Sequence, residues 1–169
     1  MRLERNVFKF VILCISIFLV SCVEVGEDKV ENKIGTSVGT LLSSTQPGNM
    51  GGFVSFIGDN ELEYVQYSLD KMGMLLYWPV GGDKTISDMR KCVSALDGLG
   101  FEQVFINDLP TRVIIENLKV NEYVVFDDGL YSQVGRDKDT VTHLTKLLLH
   151  KVFNYNDLEN IKVTLEIDG

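Results

Sequence analysis

Hydrophobic and polar positions divide the chain into three stretches of different pattern. Residues 10–20 are an apolar stretch interrupted only by Ser16, residues 23–50 carry polar and small residues with no aromatic, and from residue 51 onward apolar positions recur with strand or helix period. Residues 53–57 are apolar enough for a short strand, and Val65, Tyr67 and Leu69 alternate with Gln66, Ser68 and Asp70, as a half-buried strand requires. Residues 74–80 are almost wholly apolar and predict a central strand. Ile86, Met89, Val93, Leu96 and Leu99 then repeat at helical spacing, with Thr85 and Asp88 at capping-box distance before them and Gly100 to end the helix. A strand follows over 102–106. Residues 112–116 read as an edge strand or one helical turn after Pro110, with the strand preferred. Segments 123–126 and 130–134 flank Asp128-Gly129, a hairpin signal because glycine adopts positive φ at no cost. Asp137 or Asp139 caps a helix to residue 153 with Val141, Leu144, Leu147, Leu148 and Val152 on its apolar face, and residues 162–167 close the sheet. The expected fold class is α+β: a small mixed or antiparallel sheet with two amphipathic helices on one face, forming a single domain over 51–169.

The remaining stretches point to the cell envelope. Arg2, Arg5 and Lys9 precede the apolar run, and small Ser21 precedes Cys22, the layout of an export signal over residues 1–21. As a helix, residues 10–23 reach only about 21 Å, short of a hydrocarbon core of about 30 Å, so a cleaved leader is preferred to a membrane span. Residues 22–50 then hold the anchoring cysteine and a flexible tether. Their composition buries too little surface to offset chain entropy, and a coil of residues 23–50 has a dimension of about 30 Å.

The run Leu19-Val20-Ser21-Cys22 resembles the lipobox of bacterial lipoproteins. The resemblance implies cleavage before Cys22 and acylation of its thiol, with palmitate among the acyl chains. At about 0.8 kcal/mol per buried methylene, more than one chain gives lasting attachment without a span. By the same resemblance, Val23 in place of aspartate favours the outer membrane, while Glu24, Glu27 and Asp28 leave both the periplasmic face and the cell surface open.

Charge and cysteine content narrow the classes further. Loss of residues 1–21 removes three basic residues and one acidic residue, taking the formal net charge from −8 to −10. A body this acidic repels phosphate backbones, and no Lys/Arg cluster with interleaved aromatics offers a nucleic-acid surface. With Cys14 in the leader and Cys22 acylated, Cys92 has no intrachain partner. It falls near the helical apolar stripe and is expected to be a buried, inert thiol.

Residues 75–107 and 122–168 are similar in pattern to the two βαβ-type units in the periplasmic domain of the biopolymer-transport family that includes ExbD and TolR. Here the order is reversed, the family's final unit coming first. The apolar run lacks the family's proton-coupling acidic residue, so the resemblance implies a compact envelope domain that pairs with itself or with wall and membrane components, not a proton-driven stator.

Several motifs fit chemistry only superficially. Gly35-Thr36-Ser37-Val38-Gly39 matches a nucleophile elbow, yet it lies in the expected tether with no strand before it. His143 and His150 are about 10.5 Å apart along a helix, too far for one metal ion, and are expected on its polar face. In Gly81-Gly82-Asp83-Lys84-Thr85 an aspartate replaces the glycine that a phosphate loop needs before lysine, and Asp127-Asp128-Gly129 lacks the further oxygens of a calcium loop. No catalytic residue, metal or cofactor is therefore assigned. Tyr64, Tyr67, Tyr77 and Trp78 form the densest aromatic group, and Trp78 and Tyr77 are the candidate partner contacts if they face outward. The expected function is a lipid-anchored, non-enzymatic envelope protein that binds a macromolecule through a sheet face or edge, with homodimerisation open. Alternatives are an envelope hydrolase with dispersed site residues, or a periplasmic immunity or inhibitor protein whose acidity steers a basic partner.

Overall fold

A computed structural model describes residues 24–44, 51–81, 85–105 and 110–167. The leader over 1–21, the lipobox and Cys22 lie outside the described residues, as do residues 82–84 of the glycine-rich turn. The elements are α1 (Glu24–Ser43), β1 (Phe53–Ile57), β2 (Tyr64–Asp70), β3 (Gly73–Pro79), α2 (Ile86–Gly98), β4 (Glu102–Gln103), α3 (Thr111–Glu116), β5 (Glu122–Phe126), β6 (Gly129–Gly135), α4 (Lys138–Phe153) and β7 (Lys162–Glu166). They form one seven-stranded sheet in the order β4-β5-β6-β3-β2-β1-β7. Every neighbouring pair is antiparallel except β4 with β5, so the α+β class holds and the sheet is mixed.

Period-2 alternation decides which side of the sheet is core. Val54, Phe56, Val65, Tyr67, Met74, Leu76, Trp78 and Leu130 are fully buried on one face. The helices lie over them. Three pack on this inner face, where two were expected, and the third is α1. The segment read as a flexible tether is helical from Glu24, and Ile34, Val38 and Leu41 are fully buried. These positions sit at i, i+4 and i+7, one face of a helix, and that burial supplies the ordering energy that composition alone did not reveal. Lys33 Nζ also donates to the carbonyl of Ile161, tying α1 to the entry of β7.

Helix α2 begins with the reciprocal capping box expected of Thr85 and Asp88. Its Cys92, Ala95 and Leu96 are buried, and Tyr123 of β5 donates to Asp97 Oδ1 at 2.7 Å. Asp137 caps α4, accepting from the Asp139 amide, and the carboxyl is held below the usual range by hydrogen bonds from Thr140 and then that amide. The hydroxyls of Thr145 and Tyr67 hydrogen-bond at 3.1 Å, joining α4 to β2.

Two local expectations are corrected. Residues 111–116 are helical, not an edge strand: Pro110 occupies the N-cap, where no amide is needed, and Ile114 and Leu118 are buried with Val124 on the opposite, outer face of the sheet. β4 covers Glu102–Gln103, so Val104 and Phe105 fall outside the strand expected over 102–106, and residue 106 lies outside the described residues. The 123–134 hairpin forms as expected, but Gly129 does not have positive φ. Glycine is needed there for close approach, since a β-carbon would lie 2.6 Å from the Trp78 carbonyl oxygen on β3.

Candidate interaction face and edge of the sheet

Among the described residues, a helix packs on the outer face at its β5 end. There α3 shields Val124, with Val104, Phe126 and Tyr131 packed around it. The aromatic cluster continues outward from this cover. Tyr131 stacks on Tyr77 with ring centroids 4.7 Å apart and planes 24° apart, and Phe126 meets Tyr131 edge-on at 5.9 Å. Tyr77 is 38% exposed. Burial pushes the Tyr131 phenol up in pKa, with Tyr77 and then Asp128 adding to it.

Strand register extends this face across the sheet. Val124 lies opposite Tyr131, Tyr131 opposite Tyr77, and Ser55 opposite both Gln66 and Thr164, and the Tyr67–Leu76 register continued by one residue sets Gln66 beside Tyr77, which places Tyr77, Gln66, Ser55 and Thr164 in one row. Adjoining rows carry Leu75, Phe53, Ile57 and Tyr64, all half-buried. Aromatic and aliphatic side chains thus alternate with short hydroxyls and amides. Gln133 is fixed among them, its Nε2 donating at 3.1 Å to Asp70 Oδ1, which also accepts from the amides of Met72 and Gly73.

Of the two candidate contacts, the structure places only Tyr77 on this face. Trp78 is fully buried, stacked on Phe153 of α4 with centroids 5.5 Å apart. Neighbours in a strand point to opposite faces, so Tyr77 and Trp78 cannot both look outward, and the buried Leu76 and Met74 assign the even positions to the core. Tyr67 is likewise a core residue. Tyr131 and Phe126 were missed, although the alternation of β6 and β5 places both on the outer face, Tyr131 opposite Tyr77 and Phe126 one outer-face row away.

The other motifs stay apart from this face. Ser37 Oγ donates to the Lys33 carbonyl within α1. His143 and His150 are exposed on α4, and Cys92 is buried in the core as expected. Asp127 and Asp128 form the exposed hairpin loop. Among the described residues no group of three or more His, Cys, Asp or Glu is placed to hold a metal ion, and no helix is long and apolar enough to cross a membrane.

Comparison with protein families, curated proteins and solved structures returns no match.

Proposed function

We propose that this is a lipid-anchored protein of the cell envelope, attached to the outer membrane through Cys22, whose domain binds another macromolecule without catalysis. The observation that carries the binding part is the Tyr77–Tyr131 stack on the outer face, which no helix among the described residues covers beyond its β5 end. Tyrosines present a large rigid area with few rotatable bonds and a polar tip, which suits contact with a protein or wall polymer. The anchoring part rests on the likeness of Leu19-Val20-Ser21-Cys22 to a lipobox. Only Val23 separates that cysteine from α1, so in this reading a helix packed on the body holds the domain close to the headgroups.

Two measurements test the parts separately. Labelling of cells with a palmitate analogue is expected to mark the wild-type protein and not Cys22→Ala. Capture from envelope extracts is expected to lose its specific partner with Tyr77→Ala while the variant keeps its far-UV circular dichroism. An unlabelled wild type removes the anchor, and a partner set unchanged by Tyr77→Ala removes the outer face.

A further inference from the structure

β7 ends the sheet beside β1, and its sequence Lys162-Val163-Thr164-Leu165-Glu166 is complementary to itself when reversed. We propose that two copies of this protein pair through β7, antiparallel about a two-fold axis at Thr164, so that one sheet runs through both.

Backbone direction fixes which groups are offered at the edge. The Leu69 amide donates to the Gly52 carbonyl across β1 and β2. In an antiparallel ladder successive residues bond to opposite neighbours, so Phe53, Ser55 and Ile57 turn to β7, and their register partners Glu166, Thr164 and Lys162 turn back to β1. Val163 and Leu165 therefore direct their amides and carbonyls off the edge, toward no strand among the described residues. With the axis at Thr164, Val163 of each copy faces Leu165 of the other as a hydrogen-bonded pair. Four backbone hydrogen bonds form, and Thr164 meets its own copy in the closely spaced non-bonded position.

Charge selects this register. Lys162 falls opposite Glu166 of the second copy, twice by symmetry, and both are exposed on the outer face. Moving the axis by one residue sets Lys162 or Glu166 against Thr164 and loses both ion pairs, and moving it by two sets lysine against lysine or glutamate against glutamate, which is unfavourable for directly opposed side chains. Within one chain Lys162 Nζ already lies 3.7 Å from Glu61 Oε1, but that pair is largely exposed and holds the lysine weakly. The half-buried Val163 and Leu165 extend each core toward the joint. A closed two-fold contact also hides an edge that would otherwise recruit strands at random. The outer faces of both copies become continuous, setting two Tyr77 patches on one surface. This inference is independent of the anchor and of any outside partner.

The test uses the protein purified in detergent, with mass read by sedimentation equilibrium. The wild type is expected to dimerise. Lys162→Glu and Glu166→Lys should each weaken the dimer about tenfold by turning two attractive pairs into repulsive ones, and the double variant should restore it. Thr164→Cys should form an intermolecular disulfide on mild oxidation, because closely spaced antiparallel pairs have Cα atoms about 4.5 Å apart, within disulfide range. Lys162→Cys should not exceed wild type, its two copies being about 13 Å apart along the strands. A monomeric wild type, a double variant that fails to recover, or a Thr164→Cys protein that links only to some other protein overturns the proposal. Should a charge variant unfold, the cysteine pair of measurements still decides.

Discussion

The two faces of the sheet use the same alternation to different ends. On the inner face nearly every strand position is a large apolar residue, and three helices cover it, so contacts are redundant and water is excluded. On the outer face tyrosines and aliphatics are interleaved with Ser55, Gln66, Ser68 and Thr164, and among the described residues a six-residue helix covers its β5 end. The stacked tyrosines there stand beside half-buried leucine and phenylalanine, with Tyr77 exposed, and this grouping is what the proposed interaction face rests on.

Neighbouring residues sharpen this contrast most. Trp78→Ala removes a fully buried ring stacked on Phe153 and is expected to cost about 3–5 kcal/mol, measured by denaturant unfolding. Tyr77→Ala should cost far less, because its ring is 38% exposed. Equal losses would mean that the outer aromatics belong to a second core and not to a contact surface.

Legibility in the sequence follows the same divide. Strands β1, β2 and β3 and the helices α2 and α4 were readable because each buries one face, and burial imprints its period on the residues: Val65, Tyr67 and Leu69, or Val141, Leu144 and Leu148. Helix α1 was hidden because Ile34, Val38 and Leu41 are separated by glycine, serine and threonine, whose composition resembles a linker even when their spacing is helical. Helix α3 was misread because in six residues the two periods are hard to tell apart, and burial of Ile114 against a partner distant in sequence decides it. The candidate face was half legible. Tyr77 stood out by composition, but its separation from Trp78 and its union with Tyr131 depend on strand register, which one strand cannot reveal.

Ile114→Ala probes the smaller cluster under α3. Its side chain is 7% exposed and packs with Leu118 and Val124, so a loss of about 2 kcal/mol is expected, at the low end for this substitution because α3 can settle into the space. Hydrogen exchange should quicken in α3 and leave α4 unchanged; quickening in both would join the two faces into one cooperative core.

Alkaline titration probes the buried phenol of the inner face. The buried Tyr67 phenol is pushed well above its ordinary value of about 10, chiefly by burial, and Tyr123 is raised by burial and by accepting neighbour Asp97. The folded state therefore keeps protons that the unfolded chain releases. The stability this supplies is complete below about pH 10 and declines as pH rises above it. Tyr67→Phe should cost about 1 kcal/mol at neutral pH through the lost hydrogen bond to Thr145 and should flatten the alkaline decline. A decline of unchanged steepness would move its cause from Tyr67 to Tyr123 or to the outer Tyr131.

The smallest effect is expected where the outer face is most polar. Arg112 Nε donates to Glu116 Oε1 at 2.6 Å along α3, and the pair lowers the Glu116 carboxyl and raises the Arg112 guanidinium. Both side chains are more than half exposed, so water and salt screen the attraction, and holding two long chains in one geometry offsets much of what remains. Arg112→Gln should leave the melting temperature unchanged, in low and high salt alike. A drop of more than about 4 °C would show that α3 is held by its charges and not by Ile114 and Leu118, and the cover over Val124 would then loosen with ionic strength.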